Sequence, residues 1–173
     1  MPSPTLSPCT PADIPALVAI SRQSFYEAFA PTNHAHDLHL YMDQAYHPDR
    51  LRAELDTPGT SFYLLYAGEV LAGYLKLNTG TAQVEFQDQN GLEIERIYLL
   101  QSHTRQGLGA YMLRFALEQA RSQGRDFVWL GVWEHNGPAL AFYARHGFRQ
   151  IGAHGFLLGT DAQTDLLMRL DLT

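Results

Sequence analysis

Two glycines spaced two residues apart, directly before a helical pattern, are the first feature of this sequence that suggests chemistry. They belong to the run Arg105-Gln106-Gly107-Leu108-Gly109-Ala110, which separates an apolar run at 92–100 from an amphipathic pattern at 110–123. Glycine lets a ligand approach the backbone closely, and the first turn of a helix presents unpaired N–H groups at the positive end of its dipole. This combination predicts a pyrophosphate cradle, although an ordinary tight turn before a helix shows the same glycine pattern.

A second segment makes the functional signal of the first segment more specific. It reads Asn136-Gly137-Pro138-Ala139-Leu140-Ala141-Phe142-Tyr143-Ala144-Arg145-His146-Gly147-Phe148. Pro138 suits the first turn of a helix, Asn136 suits its N-cap, and Gly147 suits its end. The sequence therefore predicts a strand-to-helix unit on each side of residue 125, both with polar or glycine residues where the helix begins.

Composition narrows the class of protein. The chain has 173 residues, 46% of them hydrophobic, a net charge of −6 and a single lysine, Lys76, among its 12 basic residues. A nucleic-acid-binding surface needs concentrated basic charge, so we expect no nucleic-acid partner. The one cysteine, Cys9, cannot form an internal disulfide. With no secretory segment and no apolar run near the length of a membrane span, we expect a cytoplasmic protein with no membrane partner.

The remaining patterns predict one α/β domain over residues 1–173, with no repeat or linker dividing it. A loose tail at 1–9 enters a possible short strand, and the segment at 30–47 is rich in histidine and aromatics but has few regular signals. The expected elements are helices at 11–29 and 48–55, a hairpin of strands at 61–66 and 70–77, a strand at 92–100, a helix at 110–123, a buried strand at 127–132, a helix from Pro138 that Gly147 ends, and strands at 148–158 and 165–170.

The two glycine-containing segments together resemble the GNAT superfamily of acyl-CoA-dependent N-acyltransferases, and the resemblance covers nearly the whole chain. The phosphate motif of that family is Gln/Arg-x-x-Gly-x-Gly/Ala; Gly107 and Gly109 fill its glycine positions, but Thr104 stands where Gln or Arg is usual. The resemblance implies a central twisted mixed sheet flanked by helices. It also implies acetyl-CoA as the cofactor, held where the strands at 92–100 and 127–132 splay apart.

Within the superfamily, the sequence is similar to PaiA-type spermine/spermidine acetyltransferases. The similar runs are Glu95-Arg96-Ile97-Tyr98, Trp129-Leu130-Gly131-Val132-Trp133-Glu134, Phe156-Leu157-Leu158-Gly159 and Gln163-Thr164-Asp165-Leu166-Leu167-Met168. The implied reaction is direct transfer of an acetyl group to a primary amine, with a polyamine as the expected acceptor. Acetylation of a protein or peptide and a non-catalytic acyl-CoA-binding sensor are the alternatives.

The resemblance also implies roles for individual residues. An ammonium substrate must lose a proton before it attacks, and Glu93 and Glu95, which share one face of a strand, are the candidate bases. Glu93 falls where several GNAT enzymes carry their base, although both residues could be solvated strand charges. The backbone N–H of Leu99 is the expected donor to the oxyanion. The expected cofactor-binding residues are Leu99, Leu100, Arg105, Gln106, Gly107, Leu108, Gly109, Ala110, Asn136 and Tyr143.

Two of those residues have simpler explanations as well. Tyr143 occupies the position of the family's general acid, which protonates the leaving CoA thiolate, and a phenol of pKa about 10 suits that task. It could instead only pack on the inner face of its helix. Asn136 could bond the pantetheine arm, or simply cap the helix.

The acceptor pocket of GNAT folds is bordered by the first two helices and their connection. The resemblance therefore makes Phe25, Tyr26 and Tyr41 the candidate substrate-binding residues, although each could instead only pack in the core. We expect no metal, because the histidines at 34, 36, 39 and 47 lack cysteines or a tight carboxylate partner. A homodimer is possible, with the final strands as the expected contact.

Overall fold

The computed structural model describes residues 2–172 of the chain, and in this part of it helices and strands alternate around one sheet. In chain order the elements are β1 (Pro4–Pro8), α1 (Ile14–Phe29), α2 (Ala35–Ala45), α3 (Pro48–Leu55), β2 (Thr60–Ala67), β3 (Val70–Thr79), β4 (Gly91–Leu99), α4 (Leu108–Ser122), β5 (Phe127–Trp133), α5 (Gly137–Arg145), β6 (Arg149–Leu158) and β7 (Asp161–Asp171).

The strands form one mixed sheet in the order β1-β2-β3-β4-β5-β7-β6. Neighbouring strands are antiparallel except β4 and β5, which are parallel. Their pairing begins at Gly91 and Phe127 and ends after Glu93 and Trp129, although both strands continue beyond that point. The predicted mixed sheet with splayed central parallel strands is therefore confirmed.

Each face of the sheet carries its own core. The face towards α4 and α5 buries a cluster that includes Leu75, Met112 and Ala116. The opposite face packs against α1, α2 and α3, through residues that include Leu17 and Leu38. Because side chains alternate between the two faces of a strand, one sheet serves both cores, and the gap between β4 and β5 leads from one side to the other.

A β-bulge interrupts β4 at Glu95. The register of β3 and β4 shifts there, so that Glu95 has no partner on β3. An extra residue reverses the alternation that follows it. As a result Glu93 and Tyr98 both lie on the side of α1, whereas Ile94 and Ile97 both pack on the side of α4.

Four expectations from the sequence need correction. The strand expected at 165–170 is longer and spans Asp161–Asp171, and the other three corrections concern helices. The helix expected at 110–123 begins at Leu108, and the helix expected at 11–29 starts with a short 3₁₀ turn at Pro11–Asp13. The segment at 30–47, which showed few regular signals, contains α2. Its buried residues Leu38, Met42 and Ala45 follow helical spacing, a signal that the histidines around them hide.

The possible strand near the N-terminus is present as β1, which pairs with β2. Between residues 2 and 172, no helix combines the length and the apolar character that crossing a bilayer requires.

Candidate active site

The cleft where β4 and β5 diverge is lined by both strands and by α5. It forms a cavity of about 220 Å³ whose lining includes Leu99, Thr104, Val132, Asn136 and Tyr143. The cleft exists because the parallel ladder ends early, so the backbone groups of both strands beyond that point are free of each other. A ligand entering here can bind to the edges of both strands.

The turn before α4 presents a row of backbone N–H groups. Arg105 and Gly107 both adopt left-handed backbone conformations, with φ of 61° and 80°. The first bond of the helix runs from the N–H of Tyr111 to the carbonyl of Gly107, at 3.0 Å. Within the described residues, the N–H groups of Leu108, Gly109 and Ala110 donate to no protein acceptor, as is usual in the first turn of a helix. Three unpaired donors thus meet at the positive end of the helix dipole.

The two glycines of this turn differ in the effect that a side chain would have at each position. A Cβ on Gly107 would meet nothing within 4 Å, so a side chain would not clash with the protein here. Glycine suits this position because of its positive φ. A Cβ on Gly109 would lie 3.8 Å from Cζ of Phe142 and 4.0 Å from Cδ1 of Leu99, which is ordinary contact. The space in front of the turn is therefore open to a ligand.

The end of β4 also directs a backbone donor into the cleft. The N–H of Leu100 donates to the carbonyl of Ala72 on β3, at 2.8 Å. Because alternate residues of an antiparallel strand point their N–H groups to opposite sides, the N–H groups of Leu99 and Ile97 point away from β3 and towards β5. The sequence predicted Leu99 in this position and missed Ile97, which only the strand register reveals.

Leu100 itself does not fit the predicted cofactor contact. Its N–H is bound to Ala72, its carbonyl accepts from the N–H of His103 at 2.9 Å, and its side chain packs against the core on the side of α1. Both of its backbone polar groups are therefore already used.

Tyr143 and Asn136 border the cleft from α5. Tyr143 is 7% exposed, and its ring packs against Phe148 with the centroids 5.7 Å apart. Burial raises the pKa of its phenol, which keeps the hydroxyl protonated. The Oδ1 atom of Asn136 accepts from the N–H of Ala139 at 3.3 Å, so Asn136 caps α5 and also lines the cleft. Tyr143 therefore packs in the core and Asn136 caps the helix, and both residues also line the cavity.

A larger cavity, of about 430 Å³, lies on the side of α1 and α2. Aromatic rings make up much of its wall: Phe25, Phe29, Tyr41, Tyr98, Trp133 and Phe156. Three carboxylates also line it: Glu93, Glu95 and Asp165. Phe29, Glu95, Tyr98, Gly131 and Trp133 border both cavities, so the two cavities meet across the gap in the sheet.

The structure separates the three aromatic residues that the sequence grouped together. Phe25 and Tyr41 stack with their centroids 4.9 Å apart and both line the larger cavity. Tyr26 is 47% exposed, lies beside His39 and does not line this cavity. Consecutive residues of a helix point about 100° apart, which leaves Tyr26 facing solvent while Phe25 faces the cavity. The expectation for Tyr26 is therefore corrected.

Glu93 is a buried carboxyl group at the floor of the larger cavity. It is 2% exposed, and its Oε1 atom accepts from Nδ2 of Asn78 at 2.9 Å and from the N–H of Val84 at 3.0 Å. Burial, together with the nearby charge of Glu95, raises its pKa from the ordinary 4.5 to about 7. A carboxyl group with this pKa can accept a proton at neutral pH and release it again.

Glu95 differs from Glu93 in its charge state. Burial opposes its ionisation, but the charges of Arg96 and Lys76 outweigh that effect and lower its pKa. Lys76 forms an ion pair with it, and Asn78 donates to its Oε2 atom at 2.9 Å. The resemblance to the family favoured Glu93 over Glu95 as the base, and the two carboxylates differ in the structure: Glu95 stays ionised, whereas Glu93 titrates near neutral pH.

The sequence that builds this cleft matches a known family. Residues 22–148 match the acetyltransferase (GNAT) family. The chain is a GNAT acetyltransferase. An uncharacterized N-acetyltransferase of Lactobacillus delbrueckii subsp. lactis is 44% identical to it over 157 residues, which cover 91% of each chain.

Solved structures agree on the fold of this GNAT acetyltransferase. PaiA N-acetyltransferase from Thermoplasma acidophilum, in complex with coenzyme A, has a TM-score of 0.81 and 20% identity, covering 98% of this chain and 99% of its own. Ribosomal-protein-alanine N-acetyltransferase from Brucella melitensis has a TM-score of 0.70 and 18% identity, covering 97% and 99%. Identities this low support the fold alone.

The protein is thus an N-acetyltransferase, and its cofactor is acetyl-CoA. Its own residues fit that cofactor. The open space in front of Gly107 and the three unpaired N–H groups after it suit a pyrophosphate, and Thr104 and Tyr143 both line the cleft beyond them. The substitution of Thr104 for the usual Gln or Arg leaves those backbone donors in place.

Sequence reasoning missed several polar residues around the two carboxylates. Asn78 lay one residue beyond the strand expected at 70–77 and was given no role, and Arg96 was noted only as part of a run. Both are buried, at 1% and 6% exposed. The available signal for Asn78 was its position as the polar residue directly after the apolar run at 70–77. Its hydrogen-bond partner Glu93 could be identified only from the register of β3 and β4.

The histidines at 34, 36, 39 and 47 form no metal centre in the described part of the chain. No group of three or more His, Cys, Asp or Glu side chains in residues 2–172 is arranged to hold a metal ion.

Proposed function

We propose that this N-acetyltransferase transfers the acetyl group of acetyl-CoA directly to a primary amine of a small polycation such as spermidine or spermine. The observation that carries the proposal is the meeting of the two cavities at Glu95, Tyr98 and Trp133. Acetyl-CoA entering from the side of α4 and an amine entering from the side of α1 come together there. The acetyl group needs no intermediate carrier on the protein.

On the cofactor side, the N–H groups of Leu108, Gly109 and Ala110 bind the pyrophosphate of CoA, with Arg105, Gln106 and Gly107 shaping the turn before them. Asn136 bonds the pantetheine arm. The N–H of Leu99 donates to the oxyanion that forms when the amine attacks the thioester carbonyl.

On the acceptor side, Glu93 takes a proton from the ammonium group, and the freed lone pair forms the new C–N bond. As the C–S bond breaks, the phenol of Tyr143 gives its proton to the CoA thiolate. The second proton lost by the nitrogen returns the phenolate to its starting state. The products are the N-acetylamine, free CoA and the proton held by Glu93, which passes to solvent.

The chemistry of the acceptor cavity supports a cationic substrate. The wall of the larger cavity, where the acceptor is proposed to bind, carries three carboxylates (Glu93, Glu95 and Asp165) and the faces of aromatic rings, and both features attract ammonium groups. The carboxylates outnumber the two arginines, Arg50 and Arg96, that also line this cavity. The net charge of −6 acts in the same direction at longer range. The fold likeness to PaiA N-acetyltransferase agrees with this choice, but the likeness to ribosomal-protein-alanine N-acetyltransferase makes a peptide acceptor the second candidate.

The test is release of free CoA from acetyl-CoA with a panel of acceptors: spermidine, spermine, small monoamines, amino acids and basic peptides. We expect kcat/KM to be highest for spermidine or spermine. Turnover only with peptides would replace the polyamine by a protein substrate. Tight binding of acetyl-CoA with no turnover on any amine would instead support a non-catalytic sensor.

A further inference from the structure

Asn78 is a buried amide placed between the two carboxylates, and no step above uses it. Its Nδ2 atom donates to Oε1 of Glu93 and to Oε2 of Glu95, both at 2.9 Å. An amide NH₂ group has two hydrogens, so each carboxylate receives one. Asn78 pairs directly with Glu93 across the β3–β4 ladder, which fixes the distance between them.

The orientation of this amide is set from the other side. Oγ1 of Thr60 donates to Oδ1 of Asn78 at 2.9 Å, and the two residues are partners in the β2–β3 ladder. Rotating the amide by 180° would direct its oxygen at two carboxylates and its NH₂ group at a hydroxyl. Three adjacent strands therefore hold one side chain in one orientation.

This arrangement distinguishes the two oxygens of Glu93. Oε1 accepts from both Asn78 and the N–H of Val84, whereas no donor from residues 2–172 reaches Oε2. Because Glu93 lines the acceptor cavity, Oε2 is the oxygen left for an amine proton.

Glu95 is restrained by a separate set of charges. Lys76 contacts both Glu95 and Glu54, with 3.4 Å between Nζ and Oε2 of Glu54, and Arg96 donates to both oxygens of Glu54 at 2.9 and 3.1 Å. All three partners are mostly buried. Glu95 is thereby part of a chain of ion pairs that ends on α3.

We propose that Asn78 is a positioning residue that gives the two carboxylates different tasks: it turns Oε2 of Glu93 towards the acceptor amine and keeps Glu95 as a fixed, charged neighbour. The inference rests on the proposed role of Glu93 as the base. It assigns a function to a side chain that touches neither substrate.

The pH dependence of the reaction reports on this arrangement, because hydrogen bonds to a carboxylate favour its charged form. Removing the Asn78 donors should therefore raise the pH at which Glu93 loses its proton. The other charged or titratable groups that face Glu93 or share its cavity are Glu95, Lys76, Arg96, Glu54, Arg50, His154 and Asp165.

The experiment measures kcat/KM for spermidine against pH in the wild type and in Asn78→Ala, Thr60→Val, Asn90→Ala and Glu93→Gln. We expect the acidic limb to move up by about one pH unit in Asn78→Ala, which is about a tenfold loss of kcat/KM on that limb. Thr60→Val keeps the shape of the side chain and should move the limb in the same direction by less. The Kd for acetyl-CoA should not change in either variant.

Asn90→Ala is the matched control. Asn90 lies only three residues before Glu93, but its side chain bonds the carbonyl of Gly124 and the side chain of Arg125 and not the carboxylates, so its loss should lower stability without moving the limb. If Asn78→Ala does not fold, Thr60→Val still carries the test. A limb that stays at its wild-type pH in both Asn78→Ala and Thr60→Val overturns the proposal.

Glu93→Gln separates this inference from the proposed function beneath it. If this variant abolishes the acidic limb while the Asn78 and Thr60 variants leave it in place, Glu93 is the base but Asn78 does not position it. If Glu93→Gln keeps the limb, the base itself is assigned wrongly. A ¹³C NMR titration of the labelled glutamate carboxyls, with the Glu93 signal identified by its loss in Glu93→Gln, reads the same shift without turnover.

Discussion

At the scale of single residues, Glu93 holds its proton far more tightly than an exposed carboxyl group, and this has a thermodynamic consequence. A carboxyl group whose pKa is higher in the folded state stabilises the fold below its unfolded pKa, and this contribution is lost as the pH rises through the folded value. For Glu93 that window runs from 4.5 to about 7. The difference corresponds to about 3 kcal/mol.

We therefore expect Glu93→Gln to remove one component of the pH dependence of stability. The free energy of unfolding of the wild type, minus that of the variant, should fall by about 3 kcal/mol between pH 4.5 and pH 8. Urea denaturation at a series of pH values measures this difference, in which the contributions of titratable groups common to both proteins cancel. A difference that is independent of pH would show that Glu93 titrates normally in the folded protein.

Tyr143 supports a prediction of a different kind, since it acts on the leaving group rather than on the amine. Tyr143→Phe preserves the ring that packs on Phe148 and removes only the hydroxyl. General acid catalysis is worth about 10² to 10⁴, so kcat should fall at least tenfold, whereas the Kd for acetyl-CoA should hardly change. An unchanged kcat would exclude Tyr143 from the chemistry.

At the scale of secondary-structure elements, the two ends of α4 offer a matched comparison. Gly107 precedes the helix and Gly124 follows it; both have positive φ, at 80° and 68°, and a Cβ on either would meet nothing within 4 Å. An alanine at either position costs about 1 kcal/mol of backbone strain. The stability changes should therefore be similar.

Only one of these variants should affect the cofactor. Gly107→Ala places a methyl group beside the predicted pyrophosphate and disturbs the turn that aims the N–H groups of Leu108 to Ala110, so we expect acetyl-CoA to bind about tenfold more weakly. Gly124→Ala should bind it normally. Isothermal titration calorimetry with acetyl-CoA measures both, and equal affinities would argue against a phosphate site at this helix.

Elements that carry their own local signal could be predicted from the sequence. The glycines around α4, the cap and proline of α5, and the hairpin of β2 and β3 each combine a turn residue with a periodic pattern, and each was found within a few residues. All of α2 was missed because the charged and histidine residues around Leu38 and Met42 obscure its apolar spacing. These patterns located the strands and helices that border the cofactor cleft, whereas the splay of the two central strands was implied by the resemblance to the GNAT superfamily.

The bulge at Glu95 could not be predicted in the same way. It depends on how β3 and β4 align, which no single segment encodes, and it decides which side chains of β4 face the acceptor. For the same reason the contacts of Asn78 stayed hidden. The acceptor cavity draws its wall from α1, α2 and β4 to β7, so its shape depends on long-range packing.

At the scale of the whole molecule, one sheet carries both cores, and this bears on the expectation of a single domain. Trp129 is fully buried in the sheet, and Trp133 lies at the gap between the cavities. We expect tryptophan fluorescence and far-ultraviolet circular dichroism to give the same unfolding midpoint, because neither core can be lost without the strands that support the other. Two separate midpoints would indicate two folding units.

The shared border of the two cavities also has a pharmacological consequence. Because Phe29, Glu95 and Trp133 contact both spaces, one molecule can occupy both at once. A conjugate of CoA and spermidine joined through a two-carbon bridge at the sulfur would combine both binding energies without the entropic cost of a second association. Such a bisubstrate compound should inhibit competitively against either substrate. The bridge length that gives the tightest binding would report the distance between the two binding sites through the gap in the sheet.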